Sequence, residues 1–559
     1  MYYRSLQKKI MISKSSVENL RKYFIFFIFL AIGLSIYKDY GFNIDEKFHR
    51  SNGFYWLRYI ADFFGLTELS ILANDKLASI QGFTLSPIDY YNKYGIVFDV
   101  PAAIVEILLK LEHPIDYYQA RHFLIFLYFF TSLIFLYKIL LNRFNSDYIA
   151  IFGVLLLFIT PRVFGDSFQN NKDIIFLSFT IISTYFCFKI LENNKKRNIF
   201  LFCFFSAIAT SLRLFGVFLP ISLIVIQLLL VKKENYKTHI NNVLLIASSF
   251  IISLILVWPL LWENSLSNFL GYFKILDDYF NAKVFFGGSY YESNRLPYYY
   301  LPFWILISTP VLHLLLFFHG FFIVTKRFFS RLINFNENNL YPDFWRGKNE
   351  MKDFFILFNF LAVFFGLIFF NIKLYNSWRI GYFLYFFIIY FCIYDLNFLF
   401  NKKKINRTKR IYLNLILIFF IIFTSFRIIL YHPYQSFYFN ALVPKIVKDN
   451  VEVDYTGLSS IRFLNEVLNE ESKNMKIKVG VASWYPIWRM LELLDERKIN
   501  NVEIVAIRQN HTADLLYTNR ISEVDKRYNK KYDIPSNFKK YKELNIDGAT
   551  IYEVYKKIK

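Results

Sequence analysis

Pro161-Arg162-Val163-Phe164-Gly165-Asp166-Ser167-Phe168-Gln169-Asn170-Asn171-Lys172-Asp173 stands between two apolar runs, 148–160 and 174–191, and its reading decides the fold. The flanks have the length and composition of segments that enter about 30 Å of hydrocarbon. The stretch itself mixes Arg, Lys, two Asp and three side-chain amides. A chain built to cross a membrane has little physical reason to gather such groups at one interface unless something polar is handled there. A second cluster, Asn43-Ile44-Asp45-Glu46, follows an apolar run at 24–37.

Working outward, the same alternation continues to residue 430. The 559 residues are 55% hydrophobic with a mean hydropathy of +0.31, and the charged 19% falls in short blocks between apolar runs. That is the pattern of a polytopic α-helical membrane protein. Eleven runs qualify as spans: 24–37, 123–141, 148–160, 174–191, 198–212, 214–231, 243–261, 300–324, 354–370, 380–400 and 411–430. With the N-terminus in the cytoplasm, the inner segments 1–23, 142–147, 192–198, 232–238, 325–353 and 401–410 hold 25 Lys and Arg. The short outer segments 161–173, 213, 262–299 and 373–379 hold 8. The positive-inside rule therefore places both polar clusters, the first loop and the C-terminal tail outside the cytoplasm. The net charge of +22 is a topology signal on this reading, and no nucleic-acid partner is implied.

The first apolar run is not followed by a small-residue cleavage site and reads as an anchor. Cys187, Cys203 and Cys392 all fall inside spans, so neither a disulfide framework nor a thiolate metal site is implied. Within the first outer loop, 54–64 and 99–110 are too short to span and amphipathic, which predicts interfacial helices. Arg58 with Asp62, and Glu106 with Lys110, are spaced to pair along those helices. The tail reads as a small α/β unit, with helices at 457–470 and 488–496 and strands at 476–482, 502–507 and 549–554.

Candidate chemistry follows from residue type and place. Asp45 and Glu46 could accept a proton from an acceptor hydroxyl, the alternative for Asp45 being a helix cap. His49, four residues on, is a weak metal-ligand signal. Asp166, Asn170, Lys172 and Asp173 suit sugar and phosphate oxygens, the alternative being a solvated turn with Asp173 as a cap. Arg213, Arg295 and Arg379 sit at outer span ends, where they could hold a phosphate or snorkel to headgroups.

These residues carry a family resemblance. Ile44-Asp45-Glu46 resembles the first-loop acidic motif of the polytopic GT-C-fold glycosyltransferases that use polyprenyl-phosphate sugars, the superfamily of the family-39 protein O-mannosyltransferases and the lipid A aminoarabinose transferases. The stretch 166–177 is similar to the second-loop motif, in which an Asp opens the next span. Arg213 within 209–220 matches the basic residue before a Leu/Pro-rich helix. The stretches 296–302, which include Tyr299, and 431–435 are also similar, and 453–457 resembles the start of an outer C-terminal domain.

The resemblance implies a GT-C-like transmembrane domain at 1–440 with about 11 transmembrane helices, and an extracytoplasmic α/β domain at 441–559. It implies inverting transfer of a sugar from a polyprenyl-phosphate donor to a glycan, lipid or protein hydroxyl. Asp45 is then the base, Glu46, Asp166 and Asp173 are its catalytic neighbours, and Arg213, Lys172, Asn170, Arg295, Arg379 and Tyr299 hold substrate. No cofactor is expected, a divalent metal being optional. A polymerase or ligase on the same donors is one rival. A lipid-linked-sugar flippase or transporter is another, for which His313 is the main mid-span candidate.

Overall fold

In hydrocarbon no water can satisfy backbone N–H and C=O groups, so apolar runs fold as helices. The computed structural model describes residues 22–80, 94–277, 281–333, 344–370, 372–401, 406–471, 476–494, 496–522 and 530–558. Among these, seven helices are long and apolar enough to cross a membrane. They are Pro114–Phe144, Asp173–Glu192, Tyr236–Val257, Val311–Ile333, Gly347–Phe369, Leu384–Asn401 and Arg407–Tyr431. The chain is a multi-pass, mostly helical membrane protein.

All eleven apolar runs lie on helices, but length alone does not bring the crossings to eleven. Lys22–Ile36 and Leu214–Leu229 are shorter apolar helices, and Lys196–Leu212 has 17 residues. Proline breaks one expected span and bends the chain at the end of another. Pro310 divides 300–324 into Tyr300–Ser308 and Val311–Ile333. Pro161 ends Asp147–Phe158 and opens a second helix, Pro161–Gln169, bent away by 66°. The quoted polar stretch is thus a buried helix followed by a short turn, not a solvated loop.

Asp173–Glu192 is the most enclosed long helix, with 83% of its apolar window buried; Arg407–Tyr431, at 17%, lies on the rim. The segments read as inner come together at one end. Arg143 and Arg327 both donate to the fully buried Asp353, at 2.7 and 2.8 Å, and Lys352 reaches Asn142 and Glu192. Parts of those inner segments (1–21, 334–343 and 402–405) lie outside the described residues.

The loop after the first apolar helix forms the expected helices at Glu46–Phe63 and Asp99–Leu108, with Thr67–Ala78 beside them. Their charges do not pair along the helix as the spacing suggested. Arg58 donates to Asn74, Asp62 accepts from Ser70, and Glu106 turns inward to a two-pronged pair with Arg50. A surface i,i+4 pair contributes only a few tenths of a kcal/mol, so other partners within reach, the buried Arg50 above all, displace it.

The tail forms a five-stranded sheet whose strands lie side by side in the order 502–504, 477–481, 515–518, 549–557 and 538–546. Strands β3 (Ile477–Val481), β4 (Val502–Ile504) and β7 (Ala549–Lys557) are the expected ones. The strands β5 (Leu515–Thr518), four residues long, and β6 (Phe538–Ile546), a charge-rich edge strand, gave no clear apolar alternation. β3 is parallel to β4 and β5, while β7 is antiparallel to β5 and β6. The first tail helix starts at Ser460 rather than 457 because Gly457 has φ +72°. The second is replaced by a 3-10 stretch, Ile487–Leu493, and a single turn at Glu496–Ile499. A further hairpin, β1 (Lys283–Phe286) with β2 (Ser289–Glu292), bridges to the tail at Val451.

The β6–β7 turn anchors the sheet to the bundle. Asp547 accepts from Arg427 Nη1 at 2.7 Å, Tyr431 Oη at 2.9 Å and Lys448 Nζ at 2.9 Å. Burial alone would raise the Asp547 carboxyl, but hydrogen bonds from Arg427, Lys448 and Tyr431 outweigh it and hold its pKa at about 2. A depressed carboxylate stabilises fully above its unfolded value, about 3.9, and loses that contribution as pH falls through the folded value. Asp547→Asn is therefore expected to lower the melting temperature in detergent at pH 7, by the equivalent of about 1–3 kcal/mol. It should also remove the stability that the parent loses between about pH 4 and pH 2. Equal melting of variant and parent at pH 7 would refute the anchor.

Candidate active site

The two polar clusters meet. A cavity of about 350 Å³ at the end of the bundle away from Asp353 is lined by Asp45, Glu46, His49, Asn170, Lys172, Asp173, Arg213 and Arg379. Tyr375, Tyr455, Trp484 and Arg489 also line it, the last three contributed by the tail.

Asp45 stands at the start of Glu46–Phe63, yet its side chain caps nothing. Its Oδ2 accepts from Arg379 Nη2 at 2.6 Å, and its backbone amide is held by Asn43 Oδ1 at 2.9 Å. Its side chain keeps 39% of its surface exposed toward the cavity. Burial pushes its carboxyl up, but the Arg379 guanidinium, with His49 and Lys172, outweighs that and holds it below the usual carboxylate range. Asp45 is ionised at neutral pH, and with Oδ2 anchored its other oxygen can meet a hydroxyl.

Glu46 is turned away from the base role. It is buried, accepts from its own segment's Asn43 N at 2.8 Å, and lies 3.0 Å from His122 Nε2. His49 does not join Asp45 as a metal pair; its Nδ1 is 3.2 Å from the buried Asp99, which also accepts from Asn52 and Asn171. Among the described residues no three His, Cys, Asp or Glu side chains converge as a metal ligand set.

In the second cluster Lys172 stands at the cap position without a side-chain cap, and Asn170 Oδ1 accepts from the Asp173 amide at 3.0 Å. That leaves the Asp173 carboxylate for Arg213, at 2.6 Å, and for Asn170 Nδ2, at 3.1 Å. Lys172 is the least satisfied group. It is 6% exposed, its ammonium lies against the Tyr94 ring, and it has no hydrogen-bond partner among the described residues. Burial, with Arg213 nearby, lowers its pKa well below that of a free lysine. A buried cation beside two arginines is costly unless an anion completes the site.

Asp166 lies behind this wall. It accepts from Gln169 Nε2 and Asn170 Nδ2, each at 2.9 Å, and from Ser436 Oγ at 2.5 Å. Gln169 in turn accepts from Asn43 at 2.7 Å, so Asp166 braces the two clusters against each other and against the stretch after the last long helix. Arg295 and Tyr299 are not brought to the cavity. Arg295 is 81% exposed and faces Glu292, and Tyr299 packs on Phe286. His313 bonds the Leu156 carbonyl at 3.0 Å, as a core histidine does.

The sequence reading missed the cavity's tail residues and Asp99. Tyr455 stands inside the quoted 453–457 motif and could have been marked; Trp484 and Arg489 carry no local signal.

Residues 100–262 match the family model described as Dolichyl-phosphate-mannose-protein mannosyltransferase. This agrees with the GT-C, family-39-type resemblance of the motifs, and the matched stretch holds Asn170, Lys172, Asp173 and Arg213. No curated protein matches the chain. Two solved structures of ArnT from Cupriavidus metallidurans align with 94% of this chain and 97% of theirs. The apo state gives 10% identity and a TM-score of 0.45, and the form bound to undecaprenyl phosphate gives 9% and 0.40.

Because all three donors to Asp166 are fixed as donors or hydroxyls, Asp166→Asn places an amide N–H against one of them. It is expected to cost about 1–3 kcal/mol in detergent melting, against about 1 kcal/mol for Ser436→Ala. An Asn variant that melts with the parent would remove Asp166 from its bracing role.

Proposed function

We propose that this chain, a membrane glycosyltransferase of the GT-C kind, moves a sugar from a polyprenyl-phosphate donor to an acceptor hydroxyl on the outer face of the membrane, with inversion. The observation that carries this reading is the convergence of an ionised, cavity-facing Asp45 with Lys172, Arg213 and Arg379. The base and the anion site then share one chamber. The donor class also fits the dolichyl phosphate named by the family model.

In this mechanism the donor phosphate enters among the three cations, which stabilise the charge that develops as the sugar–oxygen bond breaks. Asp45 takes the acceptor's proton while that hydroxyl attacks the anomeric carbon from the opposite face. One in-line displacement inverts the centre. A phosphate leaves as an anion, so no general acid is needed. Arg379 holds both the base and the anion site; as the phosphate draws on its charge, the Asp45 carboxylate becomes a better proton acceptor. Asp173 keeps Arg213 aimed at the chamber.

The test is transfer of radiolabelled sugar from polyprenyl-phosphate donors by the purified protein. Asp45→Asn is expected to lower kcat by about 10²–10⁴-fold with donor binding retained. Arg213→Ala should raise the donor KM by roughly 10–100-fold, the worth of a charge-assisted phosphate contact. Since Arg379 lowers the Asp45 pKa, Arg379→Gln should move the acidic limb of the pH–rate profile upward. No transfer from any such donor, or full activity in Asp45→Asn, would sink this reading.

A further inference from the structure

The tail does more than cover the cavity. Just before Arg379, Asn376 and Ser377 have φ +54° and +59°, consecutive left-handed conformations in residues other than glycine. Such a turn persists only where its surroundings impose it. Here every polar group of Ser377 is held: its Oγ accepts from Arg162 at 3.0 Å, its carbonyl from Tyr300 Oη at 2.9 Å, and its amide donates to Glu452 Oε1 at 3.1 Å. The next residue, Trp378, donates its indole N–H to Ser308 at 2.8 Å.

Of these partners, Glu452 belongs to the tail. It is 4% exposed, its own amide is bound to the Phe285 carbonyl at 3.1 Å, and it also receives the Asn376 amide. Four residues on, Thr456 accepts the Ile44 amide at 3.1 Å, directly before Asp45. At Gly41 a Cβ would collide with the Leu458 carbonyl, so chain and tail are in backbone contact there. One short stretch, 452–458, therefore touches the backbone on both sides of the Asp45–Arg379 pair.

Resting on the proposed transferase reading, we infer that Glu452 is a positioning residue: by holding the Asn376–Ser377 turn it aims Arg379 at Asp45, and the tail thereby completes the catalytic geometry. Glu452 touches no substrate in this scheme and acts through Arg379. Burial raises its carboxyl to about 7, so glutamine, which keeps the acceptor oxygen and the length, is a close replacement. Alanine removes the acceptor and leaves the left-handed turn without that restraint.

The full-length protein is compared as parent, Glu452→Ala and Glu452→Gln by cryo-electron microscopy and by transfer assay. In Glu452→Ala, Arg379 is expected to leave Asp45, kcat to fall at least tenfold, the donor KM to rise as the anion site loses that cation, and the acidic limb to move upward as in Arg379→Gln. Glu452→Gln is expected to keep the 2.6 Å contact and stay within about threefold of the parent in kcat. Should Glu452→Ala not fold, Glu452→Asp, which withdraws the carboxylate by one methylene, reads the same displacement. An Arg379–Asp45 contact unchanged in a folded Ala or Asp variant overturns the inference, as does a Gln variant as impaired as the Ala variant. Failure of the parent to transfer any sugar falls on the functional reading alone; the Arg379 position still decides the role of Glu452.

Discussion

The Arg379–Asp45 ion pair is the contact on which the rest of the site depends. It joins the segment after the first apolar helix to the turn before Leu384–Asn401, more than three hundred residues apart. A lone carboxylate or guanidinium at the edge of an apolar bundle would neutralise or turn to water; held together, both stay charged and face one chamber. The neighbouring Asp173–Arg213 pair follows the same logic, and together they leave the Lys172 amine buried with no hydrogen-bond partner among the described residues.

Around this centre the structure divides charge between two ends. Asp353 gathers Arg143 and Arg327 at one end of the bundle, and the cavity gathers Asp45, Asp173, Arg213 and Arg379 at the other. Between them the long helices present apolar faces outward, most of all on Arg407–Tyr431. The tail is fastened by Asp547 to the last long helix, by 452–458 to the cavity rim, and by Glu492 to Lys47 of the helix that follows Asp45. A domain fastened at its site-facing edge is suited to shaping a chamber, whereas one joined by a free linker would not be.

Much was legible in the residues because the governing effects are local. Asp45, Lys172, Asp173, Arg213 and Arg379 could be singled out as charges beside apolar runs, where unpaired charge is costly. Arg295, which reaches water, and Tyr299, which packs on Phe286, stand beside apolar runs too but lie outside the cavity, since exposure depends on what covers a loop. Asp166 had the right residue type and neighbourhood, but the Pro161 bend turned its carboxylate onto Gln169, Asn170 and Ser436. β5 and β6 were missed for a similar reason: short or edge strands take their stability from neighbours more than from their own pattern.

The sequence by itself determined that this is a multi-pass membrane protein with polar clusters between its apolar runs and a small mixed tail. Hydrocarbon thickness and the desolvation cost of charge act on composition alone. Only the tertiary structure decided that Asp45 is paired rather than capping, that the Asp173 carboxylate goes to Arg213 rather than to a helix cap, and that Glu46 turns to His122. It also decided that Glu452 reaches the Ser377 amide. These choices are competitions among hydrogen-bond partners far apart in the chain, and folded geometry alone determines which partner comes within reach.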